Sequence, residues 1–567
     1  MRKLRWQLLI AIGGLILVIG LLIRQTPDSE ISSPQPIKGG VYSEALVGEI
    51  IRLNPILDTV NQPDRDIDKL IYSGIVSFDS RGIPQQGIAE SWAVSADATL
   101  YTITLRDNAF WHDGEPVTSD DVIYTFSKFQ DDDFPGPEDL KDFWKQVNII
   151  RLDDKSVQFQ LPEPYAPFLD YLSVGLLPDH LLRGVSVSEL VDHPFNLEPI
   201  GSGPFKFDRF IIDEGEITGV SLSVNTDFYG ERPFLERVEF KLYPDSVTAL
   251  QAYLDDEVAG LGQISREIFA DVLDMPGTNI HSSRLPELGM IFLNLQHPEK
   301  EFLSDKHFRQ ALLYAVNRQF IINSTLDGQA LVANGPIMPG TWAYAENLPT
   351  LDFDPEKAAA ILDSLEWELP AGAQPGTPEF VRTKDDQVLA IDLVHPDDVD
   401  HVRIAEIIKA YWENVGIDVS LTPASQSEIL NTYLEPREFE AVLTDVNFSG
   451  YPDPDPYPFW HDSQTETGQN YAGFEDRNTS IWLEQARTTP DLGRRADLYK
   501  SFQYRFQDQQ PSLMLYYPVY NYGIDPQVQG VSVGPLFDPS DRHNTITNWH
   551  LLARRGLNLQ ATETSEP

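Results

Sequence analysis

Residues 388–421 constrain the fold more tightly than any other stretch of this chain. Val388–Val394 is apolar enough for a strand, and Asp400–Val415 sets Ile404, Ile407, Ile408, Tyr411 and Val415 at helical spacing. Gly416 stops that helix, and Ile417–Leu421 returns to a strand pattern. Strand, helix and strand in this order make a βαβ unit, whose two strands are expected to be parallel and joined by a right-handed crossover. The fold class that follows is α/β.

A second type of local order lies upstream. In Thr99–Arg106 the residues Tyr101, Ile103 and Leu105 alternate with polar ones, which predicts a half-buried strand. Thr118-Ser119-Asp120-Asp121 has the form of a capping box, and Val122, Phe126 and Phe129 follow at helical spacing. Ile149–Leu152 and Ser156–Leu161 flank Asp153-Asp154-Lys155, which predicts a hairpin. This part reads as a small α+β domain over residues 78–195. Further on, Ser304–Ile322 carries Phe308, Ala311, Leu312, Ala315 and Val316 on one helical face. Asp354-Pro355 opens another helix, Asp491–Asp508 a third, and Leu513–Tyr517 reads as a strand.

The chain has 567 residues, enough for two or three lobes with substantial cores. Its 42 Lys and Arg stand against 87 Asp and Glu, a formal net charge of −45. Such a surface repels polyphosphate, so nucleic acid is excluded as a partner. With no cysteine at all, disulfides, thiolate metal sites and a cysteine nucleophile are impossible, as is a lipid-modified cysteine tether. The N-terminus offers another tether. Residues 1–5 are basic, and Leu8–Ile23 is unbroken apolar sequence. With Trp6 and Gln7 it would span about 27 Å as a helix, near the roughly 30 Å of a bilayer core. The basic flank is expected to stay cytoplasmic, which places the body outside. A cleaved secretory signal is the alternative, although Arg24-Gln25-Thr26-Pro27 lacks a small-x-small cleavage site. Residues 24–37 then read as a Pro/Ser-rich linker, and 556–567 as a disordered tail.

Five segments, in order, carry a resemblance. They are Gly87–Phe126 (with Phe110-Trp111-His112-Asp113-Gly114), the opening Gly39-Gly40 to Leu53-Asn54-Pro55, Ile200-Gly201-Ser202-Gly203-Pro204-Phe205, Phe308-Arg309-Gln310-Ala311-Leu312 through Asn317-Arg318, and Gly450-Tyr451-Pro452-Asp453-Pro454. Together they resemble the family 5 extracytoplasmic solute-binding proteins, the oligopeptide- and dipeptide-binding subunits of ABC importers. The resemblance implies a periplasmic-binding-protein-like bilobal clamshell with an extra third α+β domain. The first lobe is expected from residues 38–77, 196–296 and 525–555, and the second from 297–524. It implies a monomer without cofactor, catalytic residues or metal, handing an oligopeptide to ABC permease and ATPase subunits at the extracytoplasmic face. One departure stands out. Where peptide-binding relatives have an Asp for the ligand's α-ammonium, this chain has Gly450. Asp453 replaces that carboxylate only if the loop shifts register; otherwise an oligosaccharide gains plausibility as the ligand.

The candidate ligand-binding residues are Glu49 and Ile50 in the first lobe, Trp111, Trp342 and Tyr344 near turns, and Asn447, Phe448, Ser449, Gly450, Tyr451 and Asp453 in the Pro-rich loop. For each aromatic residue the competing reading is ordinary packing. The two Trp-His-Asp triplets, at 111–113 and 460–462, fit turn hydrogen bonds better than a metal site. An exported hydrolase is a reading of another class. It rests only on the abundance of acids and aromatic rings, since no Gly-x-Ser-x-Gly, phosphate loop or His-Glu-x-x-His occurs.

Overall fold

One strand, the 13-residue Ser512–Ile524, runs through both halves of the molecule. The computed structural model describes residues 38–552, together with Pro36. The apolar N-terminal run and the C-terminal tail lie outside the described residues. Along the long strand, residues 512–516 pair antiparallel with Glu287–Leu293. Residues 519–524 pair antiparallel with Asn279–Arg284. The strand is buried throughout except at Pro518 and Val519, where it passes from one half to the other. The chain crosses a second time at Leu285-Pro286, and the Leu285 N–H donates to the Pro518 carbonyl at 2.8 Å. The sequence-based boundaries at 296/297 and 524/525 fall beyond these crossings. Glu287–Leu293 bonds to Ala441–Asn447 in the second half.

The first half is built on Val41–Val47. This strand pairs in parallel with Arg237–Tyr243 on one side and with Gly260–Leu261 on the other. Glu216–Val224 and Phe205–Asp213 extend the sheet antiparallel. The C-terminal segment returns here because a buried ion network holds it. The Arg542 guanidinium donates to Glu44 Oε1 at 2.6 Å and to both oxygens of Asp66 at 2.7 Å. Trp549, fully buried, sets its ring edge-on to Tyr42.

The small domain follows the sequence reading. Leu100–Leu105 buries Tyr101, Ile103 and Leu105, and sits between Ala89–Val94 and Ser156–Gln160, with Asn148–Arg151 at the edge. The Thr118 N–H donates to the Asp121 carboxylate at 2.7 Å, which caps helix Ser119–Phe129. This domain does not have a core of its own. One apolar cluster runs from Tyr42 and Phe240 through Tyr101, Trp144 and Phe159, so the domain is fused to the first half.

In the second half Ala390–Pro396 and Asp418–Ala424 are parallel neighbours, joined through helix Val399–Glu413 as the βαβ pattern predicts. Separate apolar clusters cover the two faces of the sheet. Leu513 and Leu515 of the long strand enter one and Met514 enters the other, the period of two of a strand buried on both faces. Past the register shift between Met514 and Tyr516 the order reverses, with Tyr516 in the first and Tyr517 in the second. The run 304–322 forms two helices rather than one, Lys306–Tyr314 and Arg318–Thr325. The break comes at Asn317, whose side chain accepts the Phe320 N–H at 2.9 Å and so starts a new helix.

Candidate functional site

A cavity of about 820 Å³ lies between the fused first body and the second half. Several separate pieces of chain form its walls. The small domain supplies Tyr165, Asp170 and Tyr171, the last two from the 3₁₀ helix Ala166–Ser173. The second half supplies the loop after strand Ala441–Asn447, the turn around Arg437, and Arg487 at the end of helix Arg477–Arg487. Pro286 from the crossing and Phe537 from the C-terminal segment complete it.

The loop 447–455 is tightly determined. The Asn447 side chain accepts the Ser449 N–H at 2.7 Å, and the Phe448 N–H donates to the Pro286 carbonyl at 2.7 Å. Gly450 has φ +82° and donates its N–H to the Phe537 carbonyl at 2.8 Å. This left-handed conformation suits glycine. Asp453 is 8% exposed and its carboxylate is fully engaged. Arg495 pairs with it at 2.7 Å, the Tyr499 hydroxyl donates to it at 3.4 Å, and the Asp455 N–H at 3.2 Å. Burial pushes the Asp453 carboxyl up, and Arg495 opposes that rise. Asp453 is therefore a structural member of the loop, which overturns the idea that it stands in for the carboxylate missing at Gly450. Asp455 is also satisfied, by Arg487 through Nε at 2.9 Å and Nη2 at 2.7 Å. The same guanidinium lies 3.9 Å above the Tyr457 ring and 5.4 Å from Tyr165 across the cleft.

Arg437 has φ +59° and spends its donors on main-chain carbonyls, with Nε 2.9 Å from Thr465 O and others on Glu435 and Gly468. This fixes the turn that carries Glu435, Glu466 and Tyr471 to the cavity. The His-Asp pairs make turn contacts. His461 Nδ1 accepts the Ser463 N–H at 3.0 Å, and His112 Nδ1 accepts the Gly201 N–H at 3.2 Å. Burial drives His112 down to about 4.

Of the candidates named from sequence, Asn447, Phe448, Tyr451 and Asp453 come together in the cavity wall. Ser449 and Gly450 belong to the same loop but stand outside the wall. Glu49 is exposed and Ile50 half-buried in the first half, and neither lines the cavity. Trp111 is 2% exposed and packs in the small domain beside His180. Trp342 is buried behind the wall against Tyr499 and Arg495, with Tyr344 nearby but not lining the space. Sequence reasoning missed Asp170, Tyr171, Arg437, Arg487 and Phe537. Asp170 alone left a signal, a single carboxylate inside the apolar run Ala166-Pro167-Phe168-Leu169-Asp170-Tyr171-Leu172.

Residues 84–469 match the family described as bacterial extracellular solute-binding proteins, family 5 Middle. The chain belongs to this family. It is 25% identical over 523 residues to the oligopeptide-binding protein AppA of Bacillus subtilis, covering 89% of this chain and 91% of AppA. It is 26% identical over 500 residues to the dipeptide-binding protein of Escherichia coli, covering 82% and 87%. Among solved structures, HbpA2 of Haemophilus parasuis aligns with a TM-score of 0.78 over 90% of this chain and all of HbpA2. At 22% identity it speaks for the fold alone. The family 5 chain thus has the periplasmic-binding-protein fold expected from its sequence, and it is a binding protein of ABC transport, not an enzyme. Among the described residues of this solute-binding protein, no helix is long and apolar enough to cross a membrane.

Proposed function

We propose that this family 5 protein captures peptides in the cavity between its two bodies and delivers them to the permease of an ABC importer. The observation that carries this reading is the cavity itself, enclosed by two bodies between which the chain passes at 284–287 and 517–519. We take those crossings as the hinge and as the lobe boundaries. A guest touching both walls stabilises the closed form by the difference in contact between closed and open states. The aromatic and polar lining suits an extended peptide held through its backbone, with side chains in a roomy, water-filled space. The names of the two relatives, oligopeptide- and dipeptide-binding, support the same class. We further propose that the basic and apolar N-terminus tethers the body to the outer face of the cell membrane and that the receptor acts as a monomer.

Calorimetric titration with mixed peptides and with an oligosaccharide panel tests this. Saturable binding of peptides at micromolar Kd or tighter, about −8 kcal/mol, is expected. Saturation by oligosaccharides with none by peptides would transfer the role to the second ligand class, which Gly450 and the ring-lined walls favour.

A further inference from the structure

Five carboxylates and two guanidiniums line the cavity, with Arg495 behind the wall as a third. Their partners divide them sharply. Asp453 has Arg495, and Asp455 has the fork of Arg487. Asp170 is 6% exposed yet pairs with no cation among the described residues. Its Oδ2 accepts the Asp453 N–H at 2.8 Å, and no hydrogen bond reaches Oδ1 among the described residues. We propose that Asp170, reaching across from the third domain, seats a cationic group of the guest, an ammonium or a guanidinium. This rests on the peptide-capture reading and names the chemistry of one end of its site.

The surroundings favour a cation over any other occupant. Asp453 and Asp455 face Asp170 from the loop, and Tyr165 and Tyr171 from its own segment; Arg495 is the cation that acts on it, and Arg487 in the same wall is held by Asp455. The Arg495 guanidinium is already committed to Asp453 at 2.7 Å, so it only partly offsets the acids. Tyr171 sets its ring edge-on to Tyr451 in the same cavity wall, and aromatic rings favour positive charge. A carboxylate so enclosed costs free energy unless paired. Burial and the neighbouring Asp453 push its carboxyl well above the ordinary range, which favours the protonated form in the empty site. An incoming cation removes that need: the carboxyl releases its proton to water, and the resulting carboxylate pairs with the guest. Binding therefore expels a proton, and affinity falls as pH is lowered.

Calorimetry at pH 6 in buffers of different ionisation enthalpy reads this directly. The probes are tri-alanine, N-acetyl-tri-alanine and N-acetyl-Ala-Lys-Ala. They separate a terminal ammonium from a side-chain one and from none. Proton release is expected with the cationic probes, at least ten-fold weaker binding with the acetylated neutral one, and loss of both release and discrimination in Asp170→Asn. Asparagine still accepts the Asp453 N–H, and the wild-type release needs no variant. A variant that still releases the proton and still discriminates as the wild type does, or wild-type binding without release, overturns the seat and leaves peptide capture standing. A thermal shift by agmatine but not by 1,4-butanediol serves as a second measurement. If every peptide fails while agmatine shifts the wild type and not Asp170→Asn, peptide capture falls and the seat stands. If agmatine shifts neither protein or both alike, and no cationic peptide discriminates, the seat is discarded.

Discussion

Arg495 and Asp453 show how the loop facing the cavity is held. Both are almost entirely buried, at 3% and 8% exposure, and among the described residues neither has a second ion-pair partner. Breaking a buried pair from one side leaves a charge with no compensation, which costs about 3–5 kcal/mol. Arg495→Met is expected to lose that much at pH 7.5 by urea unfolding. With the cation gone, the Asp453 carboxyl must rise further. A raised folded-state value contributes stability that is present below the unfolded value and lost as pH rises, so the deficit is expected to shrink toward pH 4.5. A deficit that does not change with pH would assign the loss to packing over Trp342 and Tyr499 instead. The loop motif was legible in the sequence, but its division of labour was not. Nothing in the order Tyr451-Pro452-Asp453-Pro454 tells which neighbours an Asp will find 42 residues further on.

At the level of the element, short-range signals served well. The capping box at Thr118, the Pro-started helix Pro355–Ser364 and the parallel pair around Val399–Glu413 all form where their residues predict. The failure is instructive. Apolar spacing continues across 304–322, yet the chain breaks at Ala315–Asn317 because Asn317 caps the next helix and the buried Arg318 pulls that helix onto the long strand. Its guanidinium donates to Met514 O at 3.1 Å and to Leu351 O at 2.9 Å. Asn317→Ala is expected to cost about 1 kcal/mol, and Asn317→Asp almost nothing, since either side chain accepts the Phe320 N–H. Urea midpoints of the two variants decide this. Equal losses would mean that the cap is unimportant and the break belongs to Arg318.

For the whole molecule, the closing surfaces are the sensitive feature. Gly82 turns between strands Val76–Phe78 and Pro84–Gln86 with φ +78°. A Cβ there would stand 2.7 Å from the Pro452 carbonyl oxygen, on the far side of the cleft, and 3.0 Å from the Phe537 ring. Gly82→Ala should therefore obstruct closure more than it harms folding, where the left-handed backbone costs roughly 1 kcal/mol. About ten-fold weaker peptide binding, near 1.4 kcal/mol, is expected. The radius of gyration from solution scattering should stay at its ligand-free value when ligand is added. Undiminished affinity and normal compaction would contradict closure at this seam.

The sequence by itself determined what depends on neighbours a few residues away: the strands, the capped helices, the parallel βαβ unit, and through its ordered motifs the family. Hydrophobic period and capping chemistry act over one or two turns, so they survive in the linear order. The tertiary structure alone decided which side chains from distant segments join the loop 447–455 in the cavity wall. Asp170 meets the loop across 283 residues of chain, and the strand that joins the halves reads locally as two unrelated apolar segments around Pro518. A carboxylate's partners depend on where distant segments pack, and that is set by burial of the whole chain and not by any local pattern.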